Sequence, residues 1–293
     1  MIQGSIVAIV TPMLADGEID YLAYDRLIDW HIESGTDAIV VAGTTGESPT
    51  LSEQEHCDLI KHTVKKVAKR IPVVAGTGSN STREAIFFTE AAKDFGADAC
   101  LIVVPYYNKP SQEGLYQHFK TIAERVDIPQ FLYNVPSRTG CDLQAQTVSR
   151  LADLDNIVGI KEASGNLDRC RELINLCGTR ISIIGGDDAT ARQLMLAGGK
   201  GNISVTANVV PRQMHEMCKR AIAGDAVGAE AIDLPLAALH ERLFVEGSPV
   251  PVKWAMAQMG LIESGIRLPL VELNPAFRVT VADAMHAAGI SIA

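Results

Sequence analysis

Short apolar runs rich in Val and Ile recur along the first two-thirds of the chain. They occupy residues 5–10, 38–42, 72–76, 99–104, 129–133, 157–161, 181–185 and 201–205. Polar and apolar residues do not alternate within them, so each predicts a strand buried on both faces, as in a parallel sheet. Helical patterns lie between the runs. Ser52-Glu53-Gln54-Glu55 opens one with a capping box. Residues 82–95 form another, closed by Gly96. Asp188 is predicted to cap a helix at 189–196, with Gly198 following it. Repeated strand–helix units of this kind predict an α/β fold, a closed (β/α)8 TIM barrel. A doubly wound open sheet is the alternative. It calls for a Gly-rich loop after its first strand, and Thr11-Pro12-Met13-Leu14-Ala15 is not one.

Beyond residue 225 the strand pattern stops. Residues 227–244, 249–260 and 275–288 read as helices, two of them with Pro at or near the start. The expected organisation is a barrel catalytic domain over residues 1–225 and a small helical domain over residues 226–293.

Composition narrows the function classes. The 293 residues are 47% hydrophobic and 21% charged, with a formal net charge of −9. That balance argues against a nucleic-acid partner, which needs a basic face. Lys65, Lys66, Lys69 and Arg70 read as the solvated end of a helix. Cys57, Cys100, Cys141, Cys170, Cys177 and Cys218 form no C-x-x-C pair and read as reduced thiols. No basic leader precedes the first apolar run, and no stretch approaches the ~20 apolar residues of a membrane span. A soluble, cytoplasmic protein with no membrane partner is expected. The histidines form no H-E-x-x-H motif, and His56 with His62 lacks a third ligand, so no metal is expected. Gly198-Gly199-Lys200-Gly201 reads as a turn rather than a phosphate cradle.

Barrel active sites lie at the C-terminal ends of the strands. That rule selects Gly43-Thr44-Thr45-Gly46-Glu47, Tyr106-Tyr107-Asn108, the run from Tyr133 to Arg138, Lys161-Glu162 and Gly186-Asp187-Asp188. Lys161 is the most informative. It ends the apolar run Ile157-Val158-Gly159-Ile160. A lysine is rarely buried without a purpose or a partner. Desolvation favours a neutral amine, the form that attacks a carbonyl. A bland alternative is a lysine that reaches solvent or pairs with Glu162. Tyr133, ending the neighbouring run, can relay protons. Thr44 and Thr45 offer hydroxyl and N–H groups suited to a carboxylate. Arg138 offers a bidentate grip on a second carboxylate.

The runs Gly43-Thr44-Thr45-Gly46-Glu47, Tyr106-Tyr107-Asn108-Lys109-Pro110, Tyr133-Asn134-Val135-Pro136-Ser137-Arg138-Thr139-Gly140 and Gly159-Ile160-Lys161-Glu162 closely resemble the dihydrodipicolinate synthase (4-hydroxy-tetrahydrodipicolinate synthase) family of pyruvate-dependent class I aldolases. The resemblance spans essentially the whole chain. It implies a lyase that condenses pyruvate with L-aspartate-4-semialdehyde through a Schiff base on Lys161, at the start of diaminopimelate and lysine biosynthesis. It implies a proton relay of Tyr133, Thr44 and Tyr107, the last reaching in from a partner subunit. Thr45 and the main chain near Ile203 match the positions that hold the pyruvate carboxylate, and Gly186 matches a pocket-lining position. No organic or metal cofactor is implied. The resemblance further implies a homotetramer built as a dimer of dimers. It also implies an inhibitory L-lysine site at Ser48, Pro49, Glu53, His56, Asn80, Glu84 and Tyr106. There Pro49 replaces an alanine and Glu53 a histidine of a common family pattern.

Two kinds of rival remain. N-acetylneuraminate lyases and keto-deoxy sugar acid aldolases share the lysine, the tyrosine and a similar threonine loop, but have less use for Arg138. A non-catalytic metabolite-sensing barrel has no use for the complete lysine–tyrosine–threonine set.

Overall fold

The computed structural model describes residues 2–292. It contains eight strands: β1 (Gly4–Ala8), β2 (Ala38–Val41), β3 (Val73–Gly76), β4 (Ala99–Val103), β5 (Gln130–Asn134), β6 (Ile157–Glu162), β7 (Ser182–Gly185) and β8 (Gly201–Ser204). Each pairs in parallel with its sequence neighbour, and β8 returns to β1, closing the barrel. The strand ends differ from those expected by one or two residues, the usual scatter at ladder ends.

The unbroken apolar runs have a direct cause, because both faces of every strand are covered. Ile6, Val40, Val74, Leu101, Phe131, Ile184 and Ile203 fill the barrel interior. Val7, Ile39, Val73, Ile102, Leu132, Ile160 and Ile183 pack outward against the helices. Strands β5 and β6 carry this alternation to the mouth. Phe131 pairs with Gly159, and Tyr133 pairs with Lys161 two positions further along the same face. Gly159 has to be small, since a Cβ there would lie 2.4 Å from Phe131 Cε1.

Local chemistry sets the helix ends. The capping box forms, with Ser52 Oγ accepting from the Glu55 amide at 3.2 Å and Glu55 Oε2 from the Ser52 amide at 2.8 Å. Helix Thr82–Phe95 ends on Gly96 at φ 88°. Asp188 departs from expectation. The helix starts at Ala191, after Thr190, and the Asp188 carboxylate turns inward instead. It accepts from the Val205 and Thr206 amides at 3.0 and 2.9 Å and from Asn202 Nδ2 at 2.7 Å. Three buried donors outweigh one cap, and they tie the loop after β7 to the end of β8. The amides of Gly198, Gly199 and Lys200 bond Met195, Leu194 and Ile183 carbonyls, which makes that segment a turn.

After β8 come helices Pro211–Ile222, Ala226–Asp233, Ala237–Arg242, Val250–Gln258 and Pro275–Ala287. The run expected at 227–244 is broken by a short 3-10 turn, Leu234–Leu236, where Pro235 supplies no N–H. These helices share the barrel's outer apolar core through Leu239, Val252, Met256, Val281 and Met285.

Candidate active site

Lys161 stands at the top of β6 with 6% of its surface exposed. Its amine points into a cavity of about 530 Å³ at the C-terminal mouth of the barrel, lined also by Thr44, Thr45, Tyr133, Arg138 and Gly186. Lys161 Nζ lies 4.4 Å from the centroid of the Tyr133 ring. Glu162 does not pair with it, because consecutive strand residues face opposite ways. The Glu162 carboxylate instead accepts from Arg169 Nε at 2.7 Å, Asn134 Nδ2 at 3.1 Å and the Ser164 amide at 2.9 Å. Among the described residues, no carboxylate stands within ion-pairing distance of Lys161. A buried amine without a counter-ion is available as a nucleophile.

Gly186 shapes the space around that amine. A Cβ at this position would lie 2.7 Å from Lys161 Cε and 2.6 Å from Ala163 Cβ. The glycine therefore lets the lysine stem pass. Thr44 and Thr45 sit on the turn after β2, with Thr45 buried. Arg138 is exposed at the rim, on the short helix Pro136–Thr139, and its Nη2 donates to the Ser248 carbonyl at 3.2 Å. The mouth thus presents one amine, two threonine hydroxyls and one guanidinium. That set suits a keto acid joined covalently at one end and a second acid held at the other.

The dihydrodipicolinate synthetase family model matches residues 1–288. The chain belongs to this family. The 4-hydroxy-tetrahydrodipicolinate synthase of Methylococcus capsulatus is 59% identical over 290 residues, covering 99% of this chain and all of that protein. Among solved structures, the chloride-inhibited dihydrodipicolinate synthase of Acinetobacter baumannii, complexed with pyruvate, superposes with a TM-score of 0.98 at 55% identity, over 99% of this chain and 100% of that one. The Cyanidioschyzon merolae enzyme with lysine bound gives 0.95 at 39% identity, over 99% of each chain.

The other residues marked out by the family resemblance are placed as follows. Ile203 lies in the inner apolar layer with Tyr133 and is absent from the cavity lining, where Val205 stands instead. Tyr107 is 89% exposed at φ 73° and is not brought to the cavity within one chain. A second cavity of about 430 Å³ is lined by Ser48, Pro49, Glu53, His56, Glu84 and Tyr106. Asn80 is not in that lining; its carbonyl accepts from Asn108 Nδ2 at 2.9 Å. His56 is stacked on Phe88 with ring centroids 4.3 Å apart, and its Nε2 meets the Gly76 carbonyl at 2.7 Å. Burial holds its pKa below the ordinary histidine value. Ser79 Oγ donates to Glu84 Oε2.

Sequence reasoning missed residues 244–248 and Lys253, though it had marked Glu47 within the threonine run. Residues 244–248, between C-terminal helices, wall the main cavity. Glu47 and Lys253 form a buried ion pair behind the threonine turn. Lys253 did leave a signal, as a single charge within Val250-Pro251-Val252-Lys253-Trp254-Ala255-Met256.

Proposed function

We propose that Lys161 carries the chemistry by which this enzyme condenses pyruvate with L-aspartate-4-semialdehyde into 4-hydroxy-tetrahydrodipicolinate, a lyase-class step of diaminopimelate and lysine biosynthesis. The observation that carries this reading is the buried Lys161 amine, free of a carboxylate partner and set 4.4 Å from the Tyr133 ring. The neutral amine adds to the pyruvate carbonyl, and loss of water gives the imine. Removal of a methyl proton gives an enamine, whose carbon attacks the aldehyde. The second substrate's own amine then adds to the imine carbon, closes the ring and frees Lys161. Tyr133 and Thr44 pass the protons, and Thr45 holds the pyruvate carboxylate. Gly186 keeps the lysine path open, and the main chain near Ile203 joins Thr45 in holding the pyruvate carboxylate. Arg138 takes the carboxylate of the semialdehyde. A sugar-derived aldehyde would leave that guanidinium without its anion, which disfavours the sugar acid aldolase reading.

The protein acts as a homo-oligomer, a tetramer assembled as a pair of dimers, in which Tyr107 completes the relay of a neighbouring subunit. The exposed ring of Tyr107 and its left-handed backbone support this role. L-lysine occupies the second cavity as an inhibitor; the lysine-bound relative supports that assignment. We place the enzyme in the cytoplasm. All six cysteines are free, and no described helix is long and apolar enough to cross a membrane.

The deciding experiment follows ring product from pyruvate and aspartate semialdehyde, beside borohydride trapping of pyruvate on the protein. Ring formation with label on the Lys161 peptide is expected. Label on Lys109 or Lys253, or trapping without ring product, overturns the reading.

A further inference from the structure

The Thr44–Thr45 turn rests on a buried charged bracket that the reaction scheme does not use. The Lys253 and Glu47 side chains pair with 3% and 0% of their surface exposed. Lys253 Nζ also donates to the Thr11 carbonyl at 3.1 Å, and Thr11 Oγ1 donates to the Gly46 carbonyl at 2.7 Å. The second Glu47 oxygen accepts from the Arg267 amide at 3.3 Å. Glu47 itself sits at φ 59°, and its amide returns to the Thr44 carbonyl at 3.1 Å. Through Glu47 itself and the Thr11–Gly46 bond, these contacts tie the turn that carries Thr44 and Thr45 to Lys253.

A buried ion pair is a weak source of stability, since apolar residues of similar volume often do as well. What such a pair supplies is a fixed geometry. Lys253 belongs to helix Val250–Gln258, which starts two residues after Ser248, the acceptor of Arg138. Lys253 on this helix thus braces the threonine turn, and Ser248, on the segment leading into the helix, holds the arginine.

We propose that Glu47, Lys253 and Thr11 are positioning residues, which hold Thr44 and Thr45 in register with Lys161 and set their spacing from Arg138. This rests on the reading that Thr44 and Thr45 serve the pyruvate end of the cavity. A displacement of ~1 Å at such a turn costs on the order of 100-fold in rate.

The test is the double variant Glu47→Gln/Lys253→Met, which removes both charges together so that neither is left buried alone. Its Tm, its kcat and its KM for pyruvate are measured beside Thr45→Val. A folded double variant with kcat lowered and pyruvate KM raised, each about 10-fold or more, is expected. A folded double variant with wild-type constants overturns the proposal, because a purely structural pair would change Tm alone. If the double variant does not fold, Thr11→Val decides, since it keeps both charges and removes only the hydroxyl bond to Gly46. A pyruvate KM raised about 3-fold or more there supports the bracket, and unchanged constants refute it. Thr45→Val separates the two readings. An unchanged pyruvate KM in that variant refutes the role of Thr45 itself. A raised KM there, with wild-type constants in the double variant, refutes only the positioning.

Discussion

Lys161 Nζ lies 4.4 Å above the Tyr133 ring, and the two residues are direct partners across β5 and β6. Strand register alone places a phenol beside the amine, with the rigidity of a barrel wall behind both. Tyr133→Phe keeps the ring and its packing and removes only the hydroxyl. Imine trapping with pyruvate is expected to persist, while kcat falls ~100-fold or more, the usual worth of a positioned proton donor. Lys161→Ala is expected to lose trapping altogether and to keep its Tm, because it stands at the mouth rather than in a packing layer. Unchanged turnover in Tyr133→Phe would remove it from the relay.

Gly186 gives a sharper geometric test. An added methyl would meet Lys161 Cε at 2.7 Å and Ala163 Cβ at 2.6 Å, so either the lysine or the strand end must shift. Gly186→Ala is expected to slow borohydride trapping and turnover together, by ~100-fold for a displacement near 1 Å. Wild-type trapping in this variant would mean that the lysine reaches pyruvate by another path.

Arg138 is held by one backbone acceptor, Ser248, and otherwise faces the cavity. A hydrogen bond to a charged group is worth about 1.5–3 kcal/mol. Arg138→Ala is therefore expected to lower kcat/KM for the semialdehyde by ~10- to 100-fold. Imine formation with pyruvate should proceed as before. Equal losses with both substrates would make the arginine structural.

The fold was legible because all eight strands are buried on both faces, and that leaves continuous Val and Ile runs that end where the chemistry begins. The placing of Lys161, Tyr133 and Thr45 at the barrel mouth was legible for the same reason, each being a polar residue at or just after the end of such a run. Asp188 misled, because three buried donors on distant backbone are invisible in a linear pattern. Lys253 was passed over, as its partner Glu47 lies 206 positions away in sequence. The role proposed for Tyr107 lies across subunits, where a single chain offers no contact to read.

Buried histidines set an acid limit on stability. Burial depresses His31 to about 3 and His118 to about 4, and lowers His56 as well. Each is neutral in the fold, whereas the unfolded chain takes up a proton below ~6.5. The unfolded state then binds more protons, so stability is lost as pH falls from ~6.5 toward the folded values. His240 acts the other way. Burial would lower it, but the Asp233 hydrogen bond and the Asp188 charge outweigh that and raise it. Its contribution is full below ~6.5 and is lost as pH rises through the folded value. With three groups against one, the urea midpoint is expected to drop between about pH 7 and pH 5. His118→Asn should flatten part of that drop. A midpoint that rises over this window would reverse the assignment.

The lining of the second cavity, proposed above as the L-lysine site, suits a zwitterion with a basic end. Glu84 receives Ser79 on one oxygen and has the other available for an α-ammonium. His56 has its Nε2 engaged by Gly76, so it meets a ligand through the ring edge that carries Nδ1. Glu53 adds a second carboxylate to the lining, the complement of an ε-ammonium, and Pro49 stiffens the loop beside it. Thr44, Val135 and Arg138 line both cavities, so the two share a wall. Removing a charged hydrogen-bond partner costs about 1.5–3 kcal/mol. Glu84→Thr is therefore expected to weaken L-lysine binding by ~10- to 100-fold in calorimetry and to abolish inhibition, with uninhibited turnover nearly unchanged. Glu53→Gln should also weaken binding, through loss of the ε-ammonium partner; tighter binding in that variant would mean that Glu53 opposes the ligand carboxylate. Active wild-type enzyme that binds no lysine at millimolar concentration would refute the whole site.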